Sequence, residues 1–181
     1  MSDEKTLKKF KEIKSYAFKD FRMFGYSDVS LDKEFLCWNI KDGNVNHLKD
    51  SIWFFFNRLI SEFPRNFQTQ AQIYWSMAVF DYKYGNGKVV DMMKELSADA
   101  RVNHFRSVHA KDRIITVDVV VVCGNRCEAC MQDKDKRYDL IEIFKSHPLP
   151  HKNCTCAGIG CTCMLSLSPR KDEHGLFILD V

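Results

Sequence analysis

Seven of the eight cysteines fall between Cys123 and Cys163, and this crowding constrains the chain more than any other feature. They run Cys123-x3-Cys127-x2-Cys130, then, after a gap, His151-x2-Cys154-x-Cys156-x4-Cys161-x-Cys163. Spacings this short put soft thiolates within reach of one tetrahedral ion, for which zinc is the default guest. Two residues between Cys127 and Cys130 let the chain turn so that both sulfurs face one centre. Backbone amides in such a turn can hydrogen-bond the thiolates and disperse their charge. Pro148 and Pro150 stiffen the return to His151, and Gly158 and Gly160 permit a tight loop between Cys156 and Cys161. The excursion over residues 131–137 is highly charged and belongs on the surface.

Seven cysteines and His151 make eight candidate donors: Cys123, Cys127, Cys130, His151, Cys154, Cys156, Cys161 and Cys163. Eight is the number that two separate four-ligand sites require. A module of ~70 residues rarely houses two cages, so one zinc is expected and two are the alternative. The ligands ranked first are Cys127, Cys130, Cys154 and Cys161. Cys156, Cys163 and His151 are close substitutes, because alternation along each Cys-x-Cys pair points one sulfur inward. Cys123, at a strand end, ranks last.

The surrounding sequence reads as an α+β chain, with a helical domain over residues 1–110 and a small β-rich zinc-binding module over 111–181. Apolar residues recur at helical spacing over 4–24 (Leu7, Phe10, Ile13, Ala17, Phe18, Phe21), and further helices are expected over 46–63, 67–84 and 88–108. The helix over 46–63 is apolar almost all round at Ile52-Trp53-Phe54-Phe55-Phe56, which suits an internal helix. Residues 26–45 read as mostly irregular, with Cys37 as a small buried hydrophobe. The run Ile114 to Val122 is rich in β-branched residues and predicts a central strand. Residues 175–181 predict a second strand, and 138–145 a short helix.

Charge limits the function classes. Residues 1–110 hold 17 Lys/Arg against 14 Asp/Glu and residues 111–181 hold 10 against 10, so the excess of +3 lies wholly outside the cysteine region. Four thiolates on one Zn²⁺ leave about −2, which disfavours a grip on nucleic acid by the module. The basic segments are Lys5, Lys8, Lys9, Lys11, Lys14 and Lys19 on the first helix, and Arg101 with Arg106. A nucleic-acid-binding factor using these is an alternative to the favoured reading, a protein partner docking on the helical half. No apolar run approaches the ~18–20 residues that span a bilayer. Lys5, Lys8 and Lys9 are not followed by a signal-peptide core, so a cytoplasmic setting with reduced thiols is expected.

Catalysis by the metal would need an open coordination position and a general base. His109-Ala110-Lys111 before Cys127-x2-Cys130 resembles a zinc deaminase pattern, but Lys111 stands where the proton-shuttling glutamate belongs. His104 and His109 lack a paired acid at fixed spacing. A non-enzymatic protein with a structural zinc is therefore expected, with no catalytic residue, and a zinc-dependent hydrolase or deaminase is the less favoured alternative.

Cys127-x2-Cys130 followed by Pro148-Leu149-Pro150-His151-Lys152-Asn153-Cys154-Thr155-Cys156 resembles the C-terminal cysteine module of phage head-morphogenesis (minor capsid) proteins and related mobile-element proteins. The resemblance covers about residues 119–165. Lys152 replaces the second proline of that pattern, and Gly160-Cys161-Thr162-Cys163 extends it. It implies metal binding and a phage-related setting, in the cytoplasm of a bacterium or infected host cell.

Overall fold

The computed structural model describes residues 2–109, 115–124 and 127–179. Five helices come first: α1 (Ser2–Met23), α2 (Asp28–Cys37), α3 (Val45–Glu62), α4 (Phe67–Tyr84) and α5 (Val90–His109). Strand β1 (Val117–Val122), the short helix α6 (Glu128–Asp133), β2 (Arg137–Asp139), α7 (Ile143–Ser146) and β3 (Met164–Pro169) follow. The chain is α+β, as its sequence predicts.

Three of the helices start where a side chain satisfies free backbone N–H groups. Ser27, Asn44 and Asn66 cap α2, α3 and α4 by accepting the N–H groups of Ser30, His47 and Thr69. Between α4 and α5 the Asp81 carboxylate accepts the N–H groups of Asn86 and Val89. A Cβ at Gly85 would lie 2.8 Å from the Asp81 carbonyl oxygen and closer still to its carboxylate. Only glycine fits that turn.

The predicted apolar stripe of α1 packs onto α3: Phe21 meets Phe55 at 4.4 Å and Phe56 at 4.9 Å between ring centroids, the first pair edge-on. Phe54 is the exception to the internal reading of α3, since it is 64 % exposed. Residues 26–45, expected to be irregular, hold α2 instead. Its apolar signal is thin because Leu31 and Phe35, one turn apart, are its only buried residues. Cys37 ends that helix exposed rather than buried, because it falls off the Leu31–Phe35 face.

The three strands form an antiparallel sheet in the order β2-β1-β3. β1 lies in the centre, with Asp118 to Val121 buried, which is why its sequence is apolar on both faces. Its main partner is β3, in register from Val117↔Pro169 to Val122↔Met164. The expected strand over 175–181 is replaced by isolated bridges, Ile115↔Leu179 and Lys171↔Phe177, with Asp180 and Val181 outside the described residues. The half-polar alternation Met-Leu-Ser-Leu-Ser-Pro of β3 gives a weaker strand signal than Leu-Phe-Ile-Leu, yet it pairs because its alternate leucine, Leu165, faces the core. The expected helix over 138–145 is β2 followed by the single turn α7.

Two buried clusters result. One joins α1 to α4 with Val90 and Met93 of α5; the other joins the sheet, the cysteines and Val102 of α5, with Ala98 and Phe105 packed against it. Helix α5 thus runs from one core into the other. Asp118, buried in the central strand, is held by Arg170 (Nη2 at 2.6 Å and Nε at 2.7 Å) and by Arg137 at 3.4 Å. Its cross-strand neighbour is another carboxylate, Asp139, and Arg170 also reaches that one, at 3.6 Å.

Candidate metal centre

Cys127 sits at the N-terminal cap of α6 and Cys130 in its first turn. One helical turn therefore delivers both sulfurs to one side, at 3.6 Å from each other. The return segment passes a cis Leu149–Pro150 bond and brings Cys154 to 3.8 Å from both Cys127 and Cys130. Cys156 lies 3.8 Å from Cys130. A tetrahedron of sulfurs around zinc, with Zn–S of about 2.3 Å, has edges of about 3.8 Å. Four of the six separations thus match the edges of a zinc–thiolate cage, and all four sulfurs lie within 4.8 Å of one another.

Backbone N–H groups turn toward these sulfurs: Thr155 donates to Cys127, Cys127 to Cys156 and Cys156 to Cys154, each at 3.4 Å. Donation by the amides of Cys130 and Thr155 holds the Cys127 thiol down at about 5. Burial pushes the other way at Cys154, up to about 11, and raises Cys130. Three thiols with opposed shifts in one small volume form a set that a cation would resolve, since a divalent ion favours every thiolate at once.

A second group adjoins the first. Cys130, His151, Cys161 and Cys163 place one donor atom each within 4.8 Å of one another. Cys161 Sγ lies 3.3 Å from His151 Nδ1, close to the edge of about 3.6 Å expected for one sulfur and one nitrogen on zinc. The far ring nitrogen, Nε2, is buried and lies 3.2 Å from Asp133 Oδ2, without the alignment of a formed hydrogen bond. A carboxylate behind a histidine is the usual device for fixing the tautomer of a metal-bound imidazole. Cys123 and Cys163 follow the last ladder pair, Val122↔Met164, by one step on either strand, and burial raises both thiols.

All eight predicted donors thus lie in or beside one continuous patch, divided otherwise than the spacing suggests. Cys127, Cys130, Cys154 and Cys156 stand together; Cys161 stands with His151 and Cys163; Cys123 belongs to neither foursome. Both sulfurs of each Cys-x-Cys pair stand in a donor group. One zinc is expected from the sequence with two as the alternative, and the described residues offer two donor groups that could hold a metal ion, with Cys130 common to both. The charged excursion lies mostly exposed, although Asp133 reaches back to His151.

Sequence reasoning missed Lys94. This lysine of α5 is buried, donates to the Ile159 carbonyl in the loop between Cys156 and Cys161, and pairs with Asp91 at 3.3 Å. A Cβ at Gly160, whose φ is +80°, would lie 3.4 Å from the Lys94 ammonium. The glycine therefore serves both the left-handed turn and the close approach of the lysine. A basic residue at a helical position otherwise read as solvent-facing gives no signal of this in the sequence. Beside it, a cavity of about 320 Å³ between α4, α5 and β3 is lined by Trp75, Lys94, Arg101, Leu149 and Cys161.

Outside the patch, His104 and His109 lie on the last turns of α5, while Ala110 and Lys111 fall outside the described residues. On α1, Lys5, Lys8, Lys9, Lys11 and Lys19 are exposed, and Lys14 is taken up by Asp32 and the rings of Phe18 and Phe35. No described helix is long and apolar enough to cross a membrane. Compared with family models, curated proteins and solved structures, the chain matches none.

Proposed function

We propose that this chain is a non-enzymatic zinc-binding interaction protein whose metal is structural. The observation that carries this reading is the foursome of sulfurs 3.6–3.8 Å apart around Cys127, Cys130 and Cys154, completed by Cys156. Four protein thiolates fill a tetrahedral shell, which suits holding a fold together rather than activating water. Cys127, Cys130, Cys154 and Cys156 would hold one ion, and His151, Cys161 and Cys163 would contribute to a second. When bound, zinc supplies charge neutralisation and cross-linking. The chain's own residues do the rest: amides orient the sulfurs, the Asp133 carboxylate stands 3.2 Å behind the His151 ring, and Lys94 ties the cysteine loop to α5.

The interaction half of the proposal is supported by apolar surface outside the cores. Leu176, Phe177, Ile178 and Leu179 form a mostly exposed run after β3, and Phe54 and Leu36 are exposed on the helices. The run of four consecutive exposed apolar residues is the stronger of these supports. The resemblance of residues 119–165 to phage head-morphogenesis modules supports a phage or mobile-element setting. A second reading, nucleic-acid binding, is favoured by the exposed lysines of α1 alone; binding that weakens steeply with salt would support it.

The test is metal analysis of the freshly purified full chain, followed by chelation. Zinc should be present, and its removal should abolish the sheet signal of residues 115–179 while leaving the helices. Structural zinc supplies roughly 10–16 kcal/mol in small peptides, more than so small a sheet can replace. A sheet that survives chelation would overturn the structural role, and iron in place of zinc would overturn the metal.

A further inference from the structure

We infer that Cys130 is a bridging thiolate, shared by two metal ions in one dinuclear centre. This rests on the metal-binding reading above and concerns how the ions are held. Cys130 is the one donor common to both groups: its sulfur lies within 4.8 Å of the donor atoms of Cys127, Cys154 and Cys156 on one side and of His151, Cys161 and Cys163 on the other. It is fully buried, at the first turn of α6, where the two groups meet. Two tetrahedra joined at that sulfur place the ions about 3.8 Å apart, given Zn–S of about 2.3 Å and a near-tetrahedral angle at sulfur.

Donor counting and charge select this arrangement over two separate cages. Separate cages need all eight donors, with Cys123 completing the second. Cys123 is buried beside Cys163 but lies outside the second foursome, whose fourth member is Cys130. With the bridge, six thiolates, one neutral imidazole and two Zn²⁺ sum to −2. Without it, seven thiolates give −3. Each ligating thiol releases its proton to solvent, and no atom is oxidised or reduced. Cys130, His151, Cys161 and Cys163 are buried and Cys127, Cys154 and Cys156 half-buried, so the smaller net charge carries the smaller desolvation cost, and Lys94 stands against the same loop to offset part of it. Cys123 remains a reduced thiol outside the centre.

The test is ¹¹³Cd substitution of the full chain with NMR detection. Two cadmium resonances, each split by the other through the shared sulfur, are expected. Cys123→Ser should keep two bound ions and the splitting, whereas Cys130→Ser should lose the splitting and at least one equivalent of metal. Two unsplit resonances, one bound ion, or loss of the second ion in Cys123→Ser would overturn the bridge while leaving metal binding intact. No bound cadmium or zinc would overturn the underlying reading as well. Because Cys130→Ser could fail to fold, Co²⁺ titration of the unaltered chain gives an independent measure. The paramagnetic signal should rise to one equivalent and fall toward two as the bridge couples the ions. A signal that doubles instead would refute the bridge.

Discussion

Replacing Lys94 by methionine keeps an unbranched side chain one atom shorter, and most of its packing, but removes the donor that ties α5 to the cysteine loop. Two contacts are lost. The pair with Asp91 contributes little, because Asp91 is 83 % exposed and such pairs are worth about 0–1 kcal/mol. The charged hydrogen bond to the Ile159 carbonyl is buried at the lysine end and is worth about 1.5–3 kcal/mol. Together they set an expected loss of about 1.5–4 kcal/mol in the zinc-loaded protein. The loss should appear only there, since without metal the loop from Cys156 to Cys161 is no longer pinned and Ile159 no longer faces the lysine. The difference between the two states is then a weakening of zinc binding by about ten- to seven-hundred-fold, at about 1.4 kcal/mol per factor of ten. Urea unfolding with and without zinc, joined to competition against a chromophoric chelator, measures both quantities. Equal destabilisation of the loaded and stripped forms, or unchanged zinc affinity, would refute the claim that Lys94 belongs to the metal centre.

Asp20 offers a pH-dependent check on the helical core. Burial lifts its carboxyl to about 6, against a hydrogen bond from Ser76 and the nearby charges of Lys83 and Lys19. A carboxyl raised on folding stabilises most when protonated, so its contribution is complete below about pH 3.8 and is lost as pH rises through about 6. Asp20→Asn should therefore stabilise the protein by about 1–2 kcal/mol at pH 7 after allowance for screening, with the gain vanishing below pH 4 in thermal melts followed across pH. At the sheet, Arg170→Met should cost about 1–3 kcal/mol by chemical denaturation, because it leaves Asp118 and Asp139 facing each other across β1 and β2 with Arg137 alone; a neutral result would mean that the carboxylates are solvated. In the zinc-loaded chain a bulky maleimide should label Cys37 alone at short times, since it is the exposed cysteine, and chelation should expose the other seven to the reagent, as counted by mass.

What could be read in the sequence and what could not divide along physical lines. The long helices are legible because stripes such as Phe10, Ile13, Ala17 and Phe21 repeat at the helical period, and β1 because a valine run has no other stable home. Helix α2 escapes, since two buried residues one turn apart do not make a pattern. Strand β3 escapes because half of its residues are polar and it follows directly on the last cysteine. For the metal centre, residue type and density announce the donors; their division does not follow from spacing. The grouping of Cys161 with His151 depends on the register of β1 against β3 and on the path through Pro150. That Cys156 points inward depends on three N–H···S contacts that no spacing rule encodes. Lys94 and Asp133 are remote in sequence from the atoms they touch, and ordinary surface residues by composition.

Helix α5, which enters one core at Val90 and the other at Val102, gives the molecule a particular kind of inheritance. A gene fragment beginning after residue 110 would encode every cysteine of the two donor groups, yet the protein made from it would lack the wall supplied by Ala98, Val102 and Phe105 and the anchor supplied by Lys94. Exchange of the cysteine region between proteins would therefore succeed only when this helix travels with it. The unit that evolution or an engineer can transplant begins at the glycine turn before residue 90.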